Sequence, residues 1–328
     1  MRHSRSFSHG QQPLTVPIEQ LKKCWFLTGP TASGKTATAL HLAQQLDAEI
    51  LSLDSMAIYR HMDIGTAKAS AQEQAQVPHH LIDLIEPHET FSVTDYIQHA
   101  ETAIADILGR GKVPLFIGGT GLYLRSLIRG VFNGPDADWD FRKTQDEFLA
   151  EYGNAALHDR LKTVDAATAD RLHPNDTRRI IRALEVYQLT GQPLSQQQNH
   201  NPVPLDQRPV AVVWLESNVD WLVERIHHRV DMMMEQGLLQ ETQALLNHDP
   251  APGRTARQAL GYREILQHLE DGEPLEACVQ QIKIGTRQFA KRQRTWFRNM
   301  EECLSVERKT DEHAEQLAER LLQMFRKP

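Results

Sequence analysis

The chain has 328 residues, 40% of them hydrophobic, with 36 Lys and Arg against 43 Asp and Glu, a formal net charge of -7. That length exceeds one typical domain and suits two, and the acidic balance counts against a nucleic-acid partner unless basic residues cluster locally. No run approaches the roughly 18 apolar residues of a membrane span, and three scattered cysteines (Cys24, Cys278, Cys303) without a C-x-x-C pair argue against a disulfide framework or zinc finger and for a reducing, cytoplasmic setting.

Residues 1–20 are rich in Ser, His, Gln and Pro, lack the apolar core of a signal peptide, and read as a disordered tail. Trp25 to Thr28 is an apolar run short enough for a buried strand. It passes into Gly29-Pro30-Thr31-Ala32-Ser33-Gly34-Lys35-Thr36, the pattern G-x-x-x-x-G-K-T, and apolar residues then recur at helical spacing to Leu46. Strand, glycine loop and helix together predict a phosphate site. The glycines let backbone N–H groups turn inward, the helix opening near Lys35 adds its positive end, and Lys35 adds a full charge. Thr36 is placed to reach a Mg²⁺ ion. The competing reading, a glycine turn that binds nothing, does not account for the flanking elements.

A second apolar run, Glu49 to Leu53, ends at Asp54, on the edge where ligands sit in open α/β sheets. His79, His80 and Asp83 invite a metal reading, but neither H-E-x-x-H nor a Cys/His spacing is present. Ser92 or Thr94 caps a helix continuing through Ile97, Ala100 and Ile104. A third strand, Val113 to Ile117, runs into Gly118-Gly119-Thr120-Gly121, a second glycine turn facing the same cleft. Strands alternating with helices imply a parallel sheet with right-handed crossovers.

Residues 134–205 read as an inserted all-helical subdomain, dividing a core of 21–133 and 206–328. His173 to Asp176 opens a helix that carries Arg178, Arg179 and Arg182, with Ile180, Ile181 and Leu184 at buried positions. The Gln/Asn-rich stretch 195–201 reads as a mobile loop. A last strand, Val210 to Leu215, returns the chain to the sheet, and Ser217 to Asp220 caps a helix bearing Arg225 and Arg229. All that follows is helical in pattern. In its most basic part, Arg287, Lys291, Arg294 and Arg298 form one helical stripe, with Phe289, Ala290, Trp296 and Phe297 on another. Such a stripe on an acidic protein suits a phosphate backbone, although a solvated face beside a core stripe gives the same pattern.

From these residues alone the first functional reading is a P-loop small-molecule or nucleotide kinase, with Asp54 as a magnesium-holding carboxylate. That reading leaves the basic stripe unexplained, and a non-catalytic RNA-binding protein explains only the stripe.

Eight ordered motifs resemble the tRNA dimethylallyltransferase family, the bacterial tRNA isopentenyltransferases. They are Gly29 to Thr36, Asp54 to Arg60, Gly65 to Lys68, Pro78 to Asp83, Gly118 to Leu124, His173 to Tyr187, Gln258 to Tyr262 and Arg287 to Arg298. The resemblance covers residues 24 to 300. It implies a P-loop NTPase-like parallel sheet flanked by helices, a monomer in the cytoplasm, and Mg²⁺ as cofactor. The activity implied is transfer of a dimethylallyl group from dimethylallyl diphosphate to N6 of the adenosine 3′ to the anticodon.

By resemblance, Gly29, Thr31, Ala32, Ser33, Gly34, Lys35 and Thr36 hold the diphosphate, here a leaving group. Asp54 is the general base, Thr120 orients the reacting groups, and Arg229 stabilises departing charge. The anticodon stem-loop is expected on Asp54, Ser55, Met56, Ala57 and Thr120, and on Arg142, Arg178, Arg179, Ile180, Ile181 and Arg182. The same resemblance assigns it Arg257, Gln258, Ala259, Leu260, Gly261 and Tyr262, and Thr286, Arg287, Gln288, Phe289, Ala290, Lys291, Arg292 and Gln293. The family often has glutamine or leucine where this chain has Ala57, whose methyl cannot hydrogen-bond a base. A prenyltransferase acting on a free adenosine nucleotide shares the cleft, and the basic stripe speaks against it.

Overall fold

The computed structural model describes residues 14–132, 134–135, 137–197 and 202–325. In chain order the elements are α1 (Ile18–Leu21), β1 (Trp25–Thr28), α2 (Lys35–Leu46), β2 (Ala48–Leu53), α3 (Ala71–Gln76), β3 (His79–His80), α4 (Val93–Gly109), β4 (Val113–Gly118) and α5 (Gly121–Arg129). The helices α6 (Trp139–Val164), α7 (Ala166–Ala169), α8 (Thr177–Thr190) and α9 (Leu194–Gln197) follow. The chain then forms β5 (Ala211–Ser217), α10 (Val219–Gln236), α11 (Leu238–Leu246), α12 (Arg254–Arg257), α13 (Tyr262–Asp271), α14 (Leu275–Arg298), β6 (Leu304–Arg308) and α15 (Ala314–Phe325). The described residues divide into two compact units, one of residues 14–15 with those of 129–197 and one of 16–128 with 202–325. Among the described residues no helix is long and apolar enough to cross a membrane.

The larger unit is a six-stranded parallel sheet in the order β3-β2-β4-β1-β5-β6. Strands buried on both faces need continuous apolar runs rather than alternation, and β1 and β2 are buried along their whole lengths. One face packs Leu27, Ile50, Leu115 and Val213 under Leu42 of α2 and Leu317 and Leu321 of α15. Within the sheet, the Phe26 and Phe116 rings stack at 4.7 Å. A second core joins Ile58, Tyr59 and Met62 to Val230, Leu238, Tyr262 and Ile282 of the helices α10 to α14. Ser92 caps α4 through a capping box with Asp95, and Asn218 caps α10 by accepting from the Asp220 and Trp221 N–H groups.

Three expectations need correction. Of the stretch 1–20, residues 1–13 lie outside the described residues, but 14–20 are not a tail. Leu14 pairs with Val131 through two backbone hydrogen bonds, Val16 is buried, and Ile18 opens α1. Leu14, Val16 and Ile18 supply apolar side chains that the overall composition of the segment hides. Residues 195–197, read as loop, belong to α9, while 198–201 lie outside the described residues. The helical reading of everything after Leu215 fails at β6, a five-residue edge strand with Val306 alone buried, too short and too exposed to show a pattern.

The smaller unit is helical in its described elements and packs Leu157, Leu161, Ile180, Ala183 and Val186 together. A fully buried carboxylate, Glu185, lies among them. It accepts two bonds at 2.8 Å from Arg142, one at 2.5 Å from Arg182 and one at 2.8 Å from the Asp138 N–H. Burial alone would raise its carboxyl, but these donors outweigh burial and hold it below the ordinary glutamate value. Arg142 and Arg182 are therefore held as counter-charges to an internal carboxylate.

Candidate active site

The strand register sets three loops at one level. Thr28 lies beside Gly118 and Gly118 beside Leu53, so the chain leaves β1, β4 and β2 side by side at their carboxyl ends. Because β4 separates β1 from β2, the phosphate loop, Asp54 and the Gly119-Thr120 turn meet at one edge.

In the Gly29–Thr36 loop, Lys35 Nζ donates to the carbonyls of Gly29 at 2.9 Å and Pro30 at 2.6 Å. Burial, and then the neighbouring Arg229, pull the ammonium down to about 7, although Asp54 opposes the shift. Arg229 Nη1 donates to Thr31 Oγ1 at 3.4 Å, and Arg225 Nε to the Ala32 carbonyl at 2.9 Å. The Ser33 hydroxyl is buried without a hydrogen-bond partner. A loop with several cations and an idle buried hydroxyl is one arranged for an anion.

Asp54 Oδ1 accepts from the Met56 N–H at 2.8 Å. Burial raises its carboxyl above the ordinary aspartate value, against the lowering effect of the Met56 and Ala57 backbone bonds and of Lys35. Thr120 Oγ1 accepts from the Ser55 N–H at 3.1 Å while its own N–H donates to the Leu53 carbonyl at 3.0 Å. The threonine is fixed at two points, and its hydroxyl proton is left to donate. Lys35, Thr36, Asp54, Thr120 and Arg229 line one cavity of about 370 Å³, together with apolar Val230, Met233 and Ile282. The Thr36 hydroxyl in this cavity is a hard oxygen donor of the kind Mg²⁺ prefers.

Gln293 of α14 was expected at the RNA, but its side chain is 7% exposed and joins two loops of the cleft. Its Oε1 accepts from the Thr31 N–H at 2.8 Å and its Nε2 donates to the Gly119 carbonyl at 3.0 Å. Gly119 has no alternative here, because a Cβ would overlap the Gln293 amide. The motif Gly65 to Lys68 is also a lock. Glu241 of α11 accepts from the Asp63, Ile64 and Gly65 N–H groups and from the Tyr262 hydroxyl, and Lys68 is paired with Asp63 and Asp83. His80 pairs with Glu49 at 2.6 Å, so the His79, His80, Asp83 group is engaged in structure rather than gathered for a metal.

The residues expected at RNA fall into three sets, of which one, Asp54, Ser55, Met56, Thr120, Arg142, Arg182, Arg257 and Leu260, is half-buried. Arg178, Arg179, Gln258, Arg287, Gln288, Phe289, Lys291 and Arg292 are exposed, with Arg292 over the Phe289 ring at 5.9 Å. Ala57, Ile180, Ile181, Ala259, Gly261, Tyr262, Thr286 and Ala290 are buried, because a contiguous motif on an amphipathic helix necessarily includes its core-facing positions. Several arginines are already paired: Arg142 and Arg182 with Glu185, Arg257 with Glu270, and Arg294 and Arg298 with Glu216. The basic stripe of α14 is thus open at Arg287 and Lys291 and spent at its carboxyl end.

A family model described as IPP transferase matches residues 57–300, and one described as isopentenyl transferase matches residues 22–83. The chain belongs to the IPP transferase family. Among curated relatives, the tRNA dimethylallyltransferase of Desulforudis audaxviator is 48% identical over 276 residues, covering 84% of this chain and 89% of that one. The full-length tRNA isopentenylpyrophosphate transferase of Bacillus halodurans superposes with a TM-score of 0.66 at 38% identity, covering 93% and 97%. A eukaryotic dimethylallyltransferase acting on tRNA gives a TM-score of 0.73 at 29% identity, covering 91% of this chain and 77% of that one. The fold expected from the sequence, a P-loop NTPase-like parallel sheet flanked by helices, is the one these IPP transferases share.

Proposed function

We propose that this chain transfers the dimethylallyl group of dimethylallyl diphosphate to N6 of the adenosine 3′ to the anticodon of tRNA. The observation that carries the reading is one cavity holding a cationic phosphate loop, the half-buried Asp54 carboxylate and a fixed hydroxyl, with an apolar wall beside Arg229. The N6 lone pair attacks the allylic carbon, the carbon–oxygen bond breaks, and its electron pair leaves on the diphosphate. Lys35 and Arg229 face the charge that develops on that oxygen. Asp54 takes the N6 proton, and Thr120 donates its hydroxyl within the same space. Thr36 would hold a Mg²⁺ ion here, which would supply further neutralisation of the leaving group. The adenine leaves the anticodon-loop stack to reach this cavity. Cys24, Cys278 and Cys303 form no disulfide, which suits the cytoplasm.

Purified protein given Mg²⁺, labelled dimethylallyl diphosphate and an unmodified anticodon stem-loop is expected to transfer label to the RNA. Phosphoryl transfer from ATP with no label on RNA would establish the kinase instead. Replacing Arg287 and Lys291 together with Ala is expected to weaken stem-loop binding and to flatten the slope of log affinity against log salt by about 1.5. An unchanged slope in a filter-binding series would return this face of α14 to plain solvation.

A further inference from the structure

A cation that neither the motifs nor the family resemblance assigns stands behind the phosphate loop. Arg308 is the last residue of β6, at the same strand edge as the loop, and lies beyond residue 300, where the family model ends. It is pressed against Gly34: a Cβ on that glycine would fall 2.7 Å from Arg308 Nη1. Gly34 also sits at φ 87°, a left-handed backbone that glycine adopts freely, so a side chain there would be strained and would displace the Arg308 guanidinium. The Trp221 ring lies beneath two guanidiniums, that of Arg225 at 4.7 Å and that of Arg308 at 5.3 Å from its centroid. Arg225 holds the Ala32 carbonyl, so both arginines of this stack bear on the loop.

Arg308 is incompletely satisfied. Its Nε and Nη1 are buried with no hydrogen-bond partner, and only Nη2 donates, to the Glu312 carbonyl at 3.0 Å. The Glu312 carboxylate accepts from Arg320 at 2.8 Å on each oxygen, so it is engaged elsewhere. Burial and then Arg225 lower the Arg308 guanidinium from its ordinary value, with Glu312 opposing them. A buried guanidinium with two idle donors beside a second arginine is unfavourable until negative charge arrives nearby.

We propose that Arg308 is a positioning residue of the diphosphate site, bracing Gly34 from behind and lending the phosphate loop a charge that the bound diphosphate neutralises. This rests on the reading of the loop as a diphosphate site. Arg308 makes the loop's outer side cationic, as Lys35 and Arg229 make its inner side, and it ties the carboxyl-terminal strand to the first loop of the chain.

The test is calorimetric titration of inorganic diphosphate with Mg²⁺ into the full chain and into Arg308→Met and Arg308→Lys, with stem-loop affinity measured in parallel. Arg308→Met keeps an apolar stem over Trp221 and removes the charge. It is expected to bind diphosphate about tenfold more weakly or worse, with a shallower salt dependence and unchanged RNA affinity. Arg308→Lys is expected to lose clearly less, about threefold, because a charge is retained although lysine does not reproduce the planar stack on Trp221. Parent-like affinity and salt slope in Arg308→Met would overturn the proposal by showing that bulk beside Gly34 suffices, and an equal loss in both variants would overturn it by showing that the charge is not what matters. Should Arg308→Met not fold, a tenfold loss in Arg308→Lys alone overturns it. A parent chain that binds no diphosphate would instead overturn the reading of the loop itself.

Discussion

Asp54→Asn is expected to lower turnover by about 10²-fold to 10⁴-fold while leaving stem-loop affinity within about twofold of the parent. The amide keeps the size of the carboxylate and can still accept from the Met56 N–H, now at 2.8 Å. It cannot take the proton that N6 must lose on alkylation. Single-turnover rates under saturating donor isolate this step from product release. A near-parental rate would show that the proton leaves by another route. Because burial raises the Asp54 carboxyl, the acid limb of the pH–rate profile should lie above the ordinary aspartate range. The base works only when ionised, so the rate falls as pH drops through that limb, and Asp54→Asn should erase it.

Lys35→Met is expected to lower turnover about 10²-fold to 10³-fold, since it removes one preorganised positive group from the leaving diphosphate. It should also weaken diphosphate binding about 10-fold to 100-fold, the range for one charge-assisted hydrogen bond. The free ammonium, pulled down to about 7 by burial and Arg229, is partly neutral just above that pH. An anion restores its charge, so binding takes up a proton. The sign follows: below pH 7 the lysine is already charged and contributes no pH dependence, and above it the affinity falls by up to tenfold per unit. Calorimetry in two buffers of different ionisation heat measures the uptake directly. Proton uptake that persists unchanged in Lys35→Met would show that another group titrates.

Gln293 illustrates how far local patterns reach. As a member of the basic helix it reads as one more RNA-facing polar residue, yet it hydrogen-bonds a loop 262 residues away in sequence. Its position on the helix was available from periodicity, since Ala290 and Phe297 share the buried face with it. Which loop that face meets is not a property of the helix. The arginines give the same lesson with opposite sign: Arg178 and Arg182, one turn apart, look equivalent, but Arg182 is tied to Glu185 and Arg178 is exposed.

The sequence by itself determined the loop Gly29 to Thr36, the carboxylate at the end of β2, the second glycine turn and four of the six strands. Each is encoded by residues close together in the chain: a glycine spacing, an apolar run, a cap. The motif order added the family. The tertiary structure decided the rest, namely the two-residue and five-residue edge strands β3 and β6, the cations already spent on Glu185, Glu216 and Glu270, and the convergence of Gln293 and Arg308 on one loop. Short edge strands carry too few residues for a period. Charge pairing and burial, in turn, are set by which surfaces meet once the elements pack, and the groups brought together lie as far apart in the chain as Thr31 and Gln293, 262 residues.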